Sequence, residues 1–193
     1  MQRIIGLTGG IATGKTTVSN YLANHHHLPV LDADIYAREA VELGSPVLSK
    51  IGDRYGSIVL LEDGTLNRQH LASIIFHNSA EKQWLEQQIH PYVRDRFQTE
   101  LDPQLDPTVV LVVPLLFEAG MTDLVTEIWV VICSPSQQLR RLRERNRLNL
   151  EQAIARINSQ LPLSEKVARA DVVLDNSSTP EALLYQVDVA LFS

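Results

Sequence analysis

Residues 6–22 read GLTGGIATGKTTVSNYL: an apolar lead, a glycine-rich turn, then a lysine at the head of a helical pattern. Within it, residues 9–16 (GGIATGKT) satisfy the spacing G-x-x-x-x-G-K-[ST]. Average residue usage gives that pattern by chance in roughly one per cent of chains this long. The apolar run ahead of it and the helix behind it make chance rarer still. Glycines let successive backbone N–H groups turn into one concavity without Cβ clashes. A helix opening near Lys15 adds its first-turn amides and its positive dipole end. Gly10, Ile11, Ala12, Thr13, Gly14, Lys15, Thr16 and Thr17 are therefore expected to cradle the phosphates of ATP. Lys15 reaches the outer phosphates, and the Thr16 hydroxyl is the candidate ligand for Mg2+. A dinucleotide turn is excluded, because G-x-G-x-x-G aligned on Gly9 and Gly14 needs glycine where Ile11 stands.

Working outward, β-branched apolar runs recur at 3–7, 28–31, 108–113 and 127–133, with a shorter one at 171–174. Their continuous apolar character predicts strands buried on both faces, as in a parallel sheet covered by helices. The first helix is expected over 15–23. The last starts at SSTPEALLYQVDVAL, with Thr179 as N-cap and Pro180 as first helical residue. The pattern is that of a three-layer α/β core in a single domain, 1–193.

Two excursions leave this core. Residues 33–101 are too long for a simple crossover and read as a helical insertion, a candidate substrate subdomain. Its punctuation predicts a helix start at Ser45-Pro46, a turn at 62–65, and a capping box from Asn78 to Glu81. Pro91 falls inside WLEQQIHPYVRDRF, where it should kink or break the helix. Residues 136–169 carry Arg140, Arg141, Arg143, Arg145, Arg147, Arg156 and Arg169. Arg141 and Arg145 share a helix face. A solvated face explains any one of them; the cluster in an acidic protein suits a lid that supplies cations over ATP and excludes water.

Bulk properties narrow the class. The chain has 193 residues, a net charge of −6 and a 45% hydrophobic content. Negative charge disfavours nucleic acid and membrane surfaces as partners. The lone Cys133, in IWVVIC, forms no internal disulfide and reads as a core residue. No signal peptide or span of about 20 apolar residues is visible, so the expected location is cytoplasmic. Oligomeric state is not readable; a monomer is compatible with a core of this size. His25, His26 and His27 are expected in an exposed loop rather than on a metal.

Asp53-Arg54-Tyr55-Gly56 matches the D-x-x-G of GTPases, but no apolar strand precedes it and N-K-x-D is absent. The transporter signature LSGGQ is absent too. Thr108 onward, TVVLVVPLLFE, passes Pro114 to Glu118 without the strand-ending Asp common in motors. A small-molecule kinase fits better than a switch. Asp32 and Asp34 then leave the carboxyl end of the second strand, the edge where ligands sit in open α/β sheets. One acid can take the acceptor's proton while the other binds a hydroxyl or metal-bound water. The plain alternatives are an N-cap for Asp32 and a first-turn acid for Asp34.

Together these motifs resemble the dephospho-CoA kinase family nearly end to end. The resemblance covers LTGGIATGKTTV at 7–18, DADIYAREAV at 32–41 and DGTLNRQHLASIIF at 63–76. It continues with IHP at 89–91, VVPLLFE at 112–118, RLRER at 141–145 and ARADVVLDN at 168–176. It implies transfer of the ATP γ-phosphate to the ribose 3′-hydroxyl of dephospho-CoA, with Mg2+, by a P-loop kinase core bearing a helical CoA insertion and an arginine-rich lid. It also implies Asp34 and Lys15 as catalytic residues, with Arg141 and Arg145 on ATP. The substrate side falls on Asp32, Asp34, His90 and Glu118. His90 has a plainer alternative, satisfying carbonyls freed by Pro91. Ala12-Thr13 departs from the glycine-serine of many members but removes no backbone donor. The alternative is another P-loop small-molecule kinase, for a nucleoside or nucleotide.

Overall fold

The computed structural model describes residues 2–76, 78–102 and 107–193. The apolar runs become five strands: β1 (Arg3–Gly9), β2 (Val30–Asp32), β3 (Thr108–Val112), β4 (Glu127–Ile132) and β5 (Val172–Asp175). Every pairing between them is parallel, in the order β2-β3-β1-β4-β5. The register sets Leu7 opposite Val112 on one side and Trp129 on the other, with Asp32 opposite Val112. β2 is shorter than the apolar run suggests. It starts at Val30 and takes in Asp32 as its last residue.

Helices follow in chain order: α1 (Lys15–Asn24), α2 (Ala33–Glu39), α3 (Pro46–Tyr55), α4 (Arg68–Phe76), α5 (Ser79–Glu100), α6 (Pro135–Asn146), α7 (Leu150–Asn158), α8 (Leu163–Val167) and α9 (Pro180–Phe192). Contacts divide the chain into two compact units, Met1–Asp32 with Leu101–Ser193, and Ala33–Glu100. Among the described residues no helix is long and apolar enough to cross a membrane.

In the sheet unit, alternate residues Ile5, Leu7, Val110, Val112, Trp129 and Val131 form one face. It is covered by Val18 and Leu22 of α1 and by Leu183, Val187 and Leu191 of α9. The intervening Val109, Leu111 and Val130 are buried as well, which is why the runs read as continuous. Thr179 caps α9 through the Ala182 amide, as expected. Cys133 is buried. Of the histidines after α1, His25 and His27 are exposed as expected and His26 is partly buried. His26 Nε2 lies 2.8 Å from Asp188 of α9, and His25 stacks on Tyr21 at 4.8 Å. The run closes the far end of α1 against α9, and no metal-holding cluster exists among the described residues.

The helical unit has its own core of Val41, Val47, Ile51, Val59, Leu71 and Leu85. Ser45 caps α3 through the Leu48 amide at 3.0 Å, and Leu61 N–H donates to Thr65 O across the 62–65 turn. Asn78 accepts from the Ala80 and Glu81 amides, and Glu81 also has partners outside this turn. Its carboxylate accepts from Arg54 at 2.7 and 2.9 Å and from the Tyr55 hydroxyl. Of the kink or break expected at Pro91, the break does not occur: α5, 22 residues long, continues through it. A mid-helix proline costs about 3 kcal/mol in isolation. Here α5 packs on α2, α3 and α4, burying Leu85, Val93 and Phe97, and that burial outweighs the lost bond.

The Glu81 cluster has a pH signature. Arg54, then Tyr55, hold the Glu81 carboxyl down to about 2. A carboxyl lowered on folding stabilises the native state above its unfolded value of 4.5 and loses that contribution as pH falls toward 2. Melting temperatures measured across that window should fall for the parent and fall less for Glu81→Gln. Equal slopes would remove Glu81 from acid unfolding.

Candidate active site

The phosphate loop leaves β1 at Gly9 and enters α1 at Lys15. Its backbone is unusual at three points: Gly9 has φ 146°, Ala12 φ 60° and Gly14 φ 114°. Glycine takes such values freely. At Gly9 an added Cβ would lie 2.3 Å from Val131 O, so β4 itself forbids a side chain there. Ala12 holds the left-handed conformation with a Cβ, at a cost of about 1 kcal/mol. Lys15 Nζ donates to Gly9 O at 3.1 Å and Gly10 O at 2.7 Å, which puts the ammonium at the mouth of the loop. The Thr13 side chain turns inward, fully buried, with Oγ1 donating to Gly10 O at 2.9 Å. Thr16 and Thr17 lie exposed on the first turn of α1.

Three side-chain amides grip this loop, and none of them was singled out from the sequence. Gln138 of α6 donates Nε2–H to Ile11 O at 2.9 Å. Gln160, just past α7, accepts the Ile11 N–H on Oε1 at 2.9 Å. Asn176, after β5, donates Nδ2–H to Thr13 O at 2.8 Å. Asn176 also fills the space a Gly14 Cβ would need, its Nδ2 standing 2.2 Å from that position. Gly14→Ala therefore adds a clash to an unfavourable φ and is expected to cost about 1–3 kcal/mol or displace the loop. A lowered melting temperature together with weakened ATP binding checks this. Unchanged values for both would contradict it.

Arg141 and Arg145 part company despite their shared face. Arg141 is half-buried and donates Nη2–H to Asn176 O at 3.3 Å, two hydrogen bonds from the loop. Arg145 is exposed, with Nε on the neighbouring Asn146. Glu118 is held by its own unit. It pairs with Lys166 at 2.9 Å and accepts the Leu161 N–H at 2.9 Å. The Lys166 ammonium, fully buried, also donates to Pro114 O at 3.1 Å. Burial pushes the Glu118 carboxyl up, but Lys166 and the Leu161 amide outweigh it and hold it below the ordinary range. Glu118 thus ties the end of β3 to the 160–166 segment, a role invisible in its motif.

Asp32 ends β2, level with Leu7 of β1 across one intervening strand. At about 4.8 Å per strand spacing, that places it about 10 Å from β1, on the edge from which the loop departs. The strand order reverses between β1 and β3, and the crevice at such a switch point is where open α/β sheets bind ligands. In the helical unit, Asp34 is exposed in the first turn of α2. His90 is half-buried on α5, and burial lowers its pKa against the pull of Glu86.

A parallel sheet in this order, with a glycine loop leading into a Lys-Thr helix start, defines a P-loop phosphotransferase of the small-molecule kinase type. The family model described as Dephospho-CoA kinase matches residues 3–181. The chain belongs to the dephospho-CoA kinase family. It is 69% identical to the dephospho-CoA kinase of Trichormus variabilis over 98% of this chain and 97% of that one. A Thermus thermophilus crystal structure superposes with a TM-score of 0.83 at 32% identity, over 99% of this chain and 97% of that one. The dephospho-CoA kinase of Campylobacter jejuni gives 0.74 at 26% identity, over 100% and 96%.

Proposed function

We propose that the chain transfers the γ-phosphate of ATP to the ribose 3′-hydroxyl of dephospho-CoA, giving coenzyme A and ADP. One observation carries the mechanism: the phosphate loop and Asp32 leave the same carboxyl edge, with only β3 between their strands. Loop amides and Lys15 hold the β- and γ-phosphates. Asp34 takes the proton of the attacking hydroxyl, and Asp32 orients the acceptor. Arg145, on an exposed face of α6, comes over the phosphates as segment 136–169 closes like a lid, while Arg141 braces Asn176. The helical unit with His90 receives the CoA arm, and Glu118 serves the acceptor side while holding Lys166 and the Leu161 amide. The whole reaction takes place in one cytoplasmic domain, without nucleic acid or membrane.

The donor set suits Mg2+. Among the described residues no three acidic or histidine side chains gather into a cage. Mg2+ needs none, since it is held by one or two protein groups plus substrate phosphates and water. Thr16 would hold it, and bound there the ion neutralises charge on the β- and γ-phosphates.

A coupled ADP-release assay across dephospho-CoA, nucleoside monophosphates and nucleosides tests the acceptor. Dephospho-CoA should stimulate ADP release far above the rate without acceptor. A nucleoside or nucleotide giving the highest kcat/KM would overturn the assignment, and no stimulation by any acceptor would point to a nucleotide switch.

A further inference from the structure

We infer that Gln138 and Gln160 are positioning residues for ATP, clamping the Ile11 peptide so that Ala12 keeps its left-handed turn. The inference rests on residues 10–17 being the ATP cradle. Ile11 is gripped at both ends of its backbone, the carbonyl by Gln138 and the amide by Gln160, each at 2.9 Å. The next residue is Ala12, at φ 60°. Beyond it Thr13 is fixed in turn, its carbonyl by Asn176 and its hydroxyl on Gly10 O. An alanine in this region persists only where its surroundings over-determine it, and here the flanking residues on both sides are tied to other elements.

The burial of Gln138 makes a packing role a poor account. Its residue is only 7% exposed, and an amide buried that far is unfavourable unless its hydrogen bonds are made. A methionine would fill a similar volume with no polar group to satisfy. Gln160 is anchored from behind: Leu161 N–H is on Glu118, and Lys166 is on both Glu118 and Pro114 O. The clamp therefore has fixed ends in α6 and in the segment tied to β3. Both glutamines act through the shape of the loop, and neither is assigned a contact with substrate.

Steady-state kinetics on Gln138→Met and Gln160→Met test the clamp, with melting temperatures and titration of a fluorescent ATP analogue alongside. Loss of the clamp should raise KM for ATP about tenfold in each variant while KM for dephospho-CoA stays within twofold. Adding Ala12→Gly to either variant should recover most of that loss, because glycine takes φ 60° without strain. The same change in the parent background is measured as the reference from which that recovery is read. An unchanged KM for ATP in the variants that fold, an equal rise for both substrates, or no recovery with Ala12→Gly would each overturn the clamp. If Gln138→Met does not fold, the less buried Gln160→Met decides the matter alone. Lys15→Ala is measured in parallel; if it binds the ATP analogue and turns over like the parent, the cradle reading itself fails, whatever the glutamines do.

Discussion

Asp34→Asn is expected to lower kcat by about 10² to 10³ and leave KM for ATP near the parent value. Asparagine keeps the size and one hydrogen-bonding oxygen of the carboxylate but cannot take the proton of the attacking hydroxyl. Loss of one well-placed polar group at a reacting centre typically has an effect of that size. The split between kcat and KM matters more than the size. ATP is assigned to the loop of the sheet unit, whereas Asp34 opens the helical unit. Removing it should therefore spare nucleotide binding. Asp32→Asn is the companion measurement. With Asp34 as the base, Asp32→Asn should act mainly on KM for dephospho-CoA, and a larger fall in kcat for Asp32→Asn would exchange the two roles.

Lys15→Ala should be more damaging still, with kcat/KM for ATP down by about 10³ or more. The ammonium stands at the mouth of the loop, resting on Gly9 and Gly10 carbonyls. Phosphoryl transfer depends on positioning and charge stabilisation, and a cation on the transferring group contributes on that scale. Because Lys15 starts α1 with its side chain half-buried rather than packed in the core, the variant should fold with a melting temperature close to the parent. A fold-intact variant retaining parent turnover would remove the lysine from the mechanism.

What could be read in the sequence follows from range. The loop, the five strands and the caps at Ser45 and Thr179 are local patterns, in which spacing and residue type carry the signal. Strand order is not local. Asp32 was readable as a strand-end acid, but β3 standing between it and β1 depends on a pairing 80 residues along the chain, Asp32 with Val112. Pro91 shows tertiary packing overriding a local rule, through burial of Leu85, Val93 and Phe97, and Glu81 has long-range partners, Arg54 and Tyr55, that no local pattern foretells. Gln138 and Gln160 carried no signal at all, and Asn176 stood only as the last residue of ARADVVLDN, with no role attached. Their partners lie 127, 149 and 163 residues away, and an isolated amide side chain has no periodicity to betray it.

The central claim is that the terminal phosphate of ATP moves onto the 3′-oxygen of the acceptor's ribose at the P-loop. Phosphorus NMR of the product formed from ATP and dephospho-CoA tests it most directly. The account predicts a new phosphomonoester at the 3′ position, formed in step with ADP and absent with Lys15→Ala. Inorganic phosphate as the only new product, or a phosphate attached elsewhere on the acceptor, would contradict it.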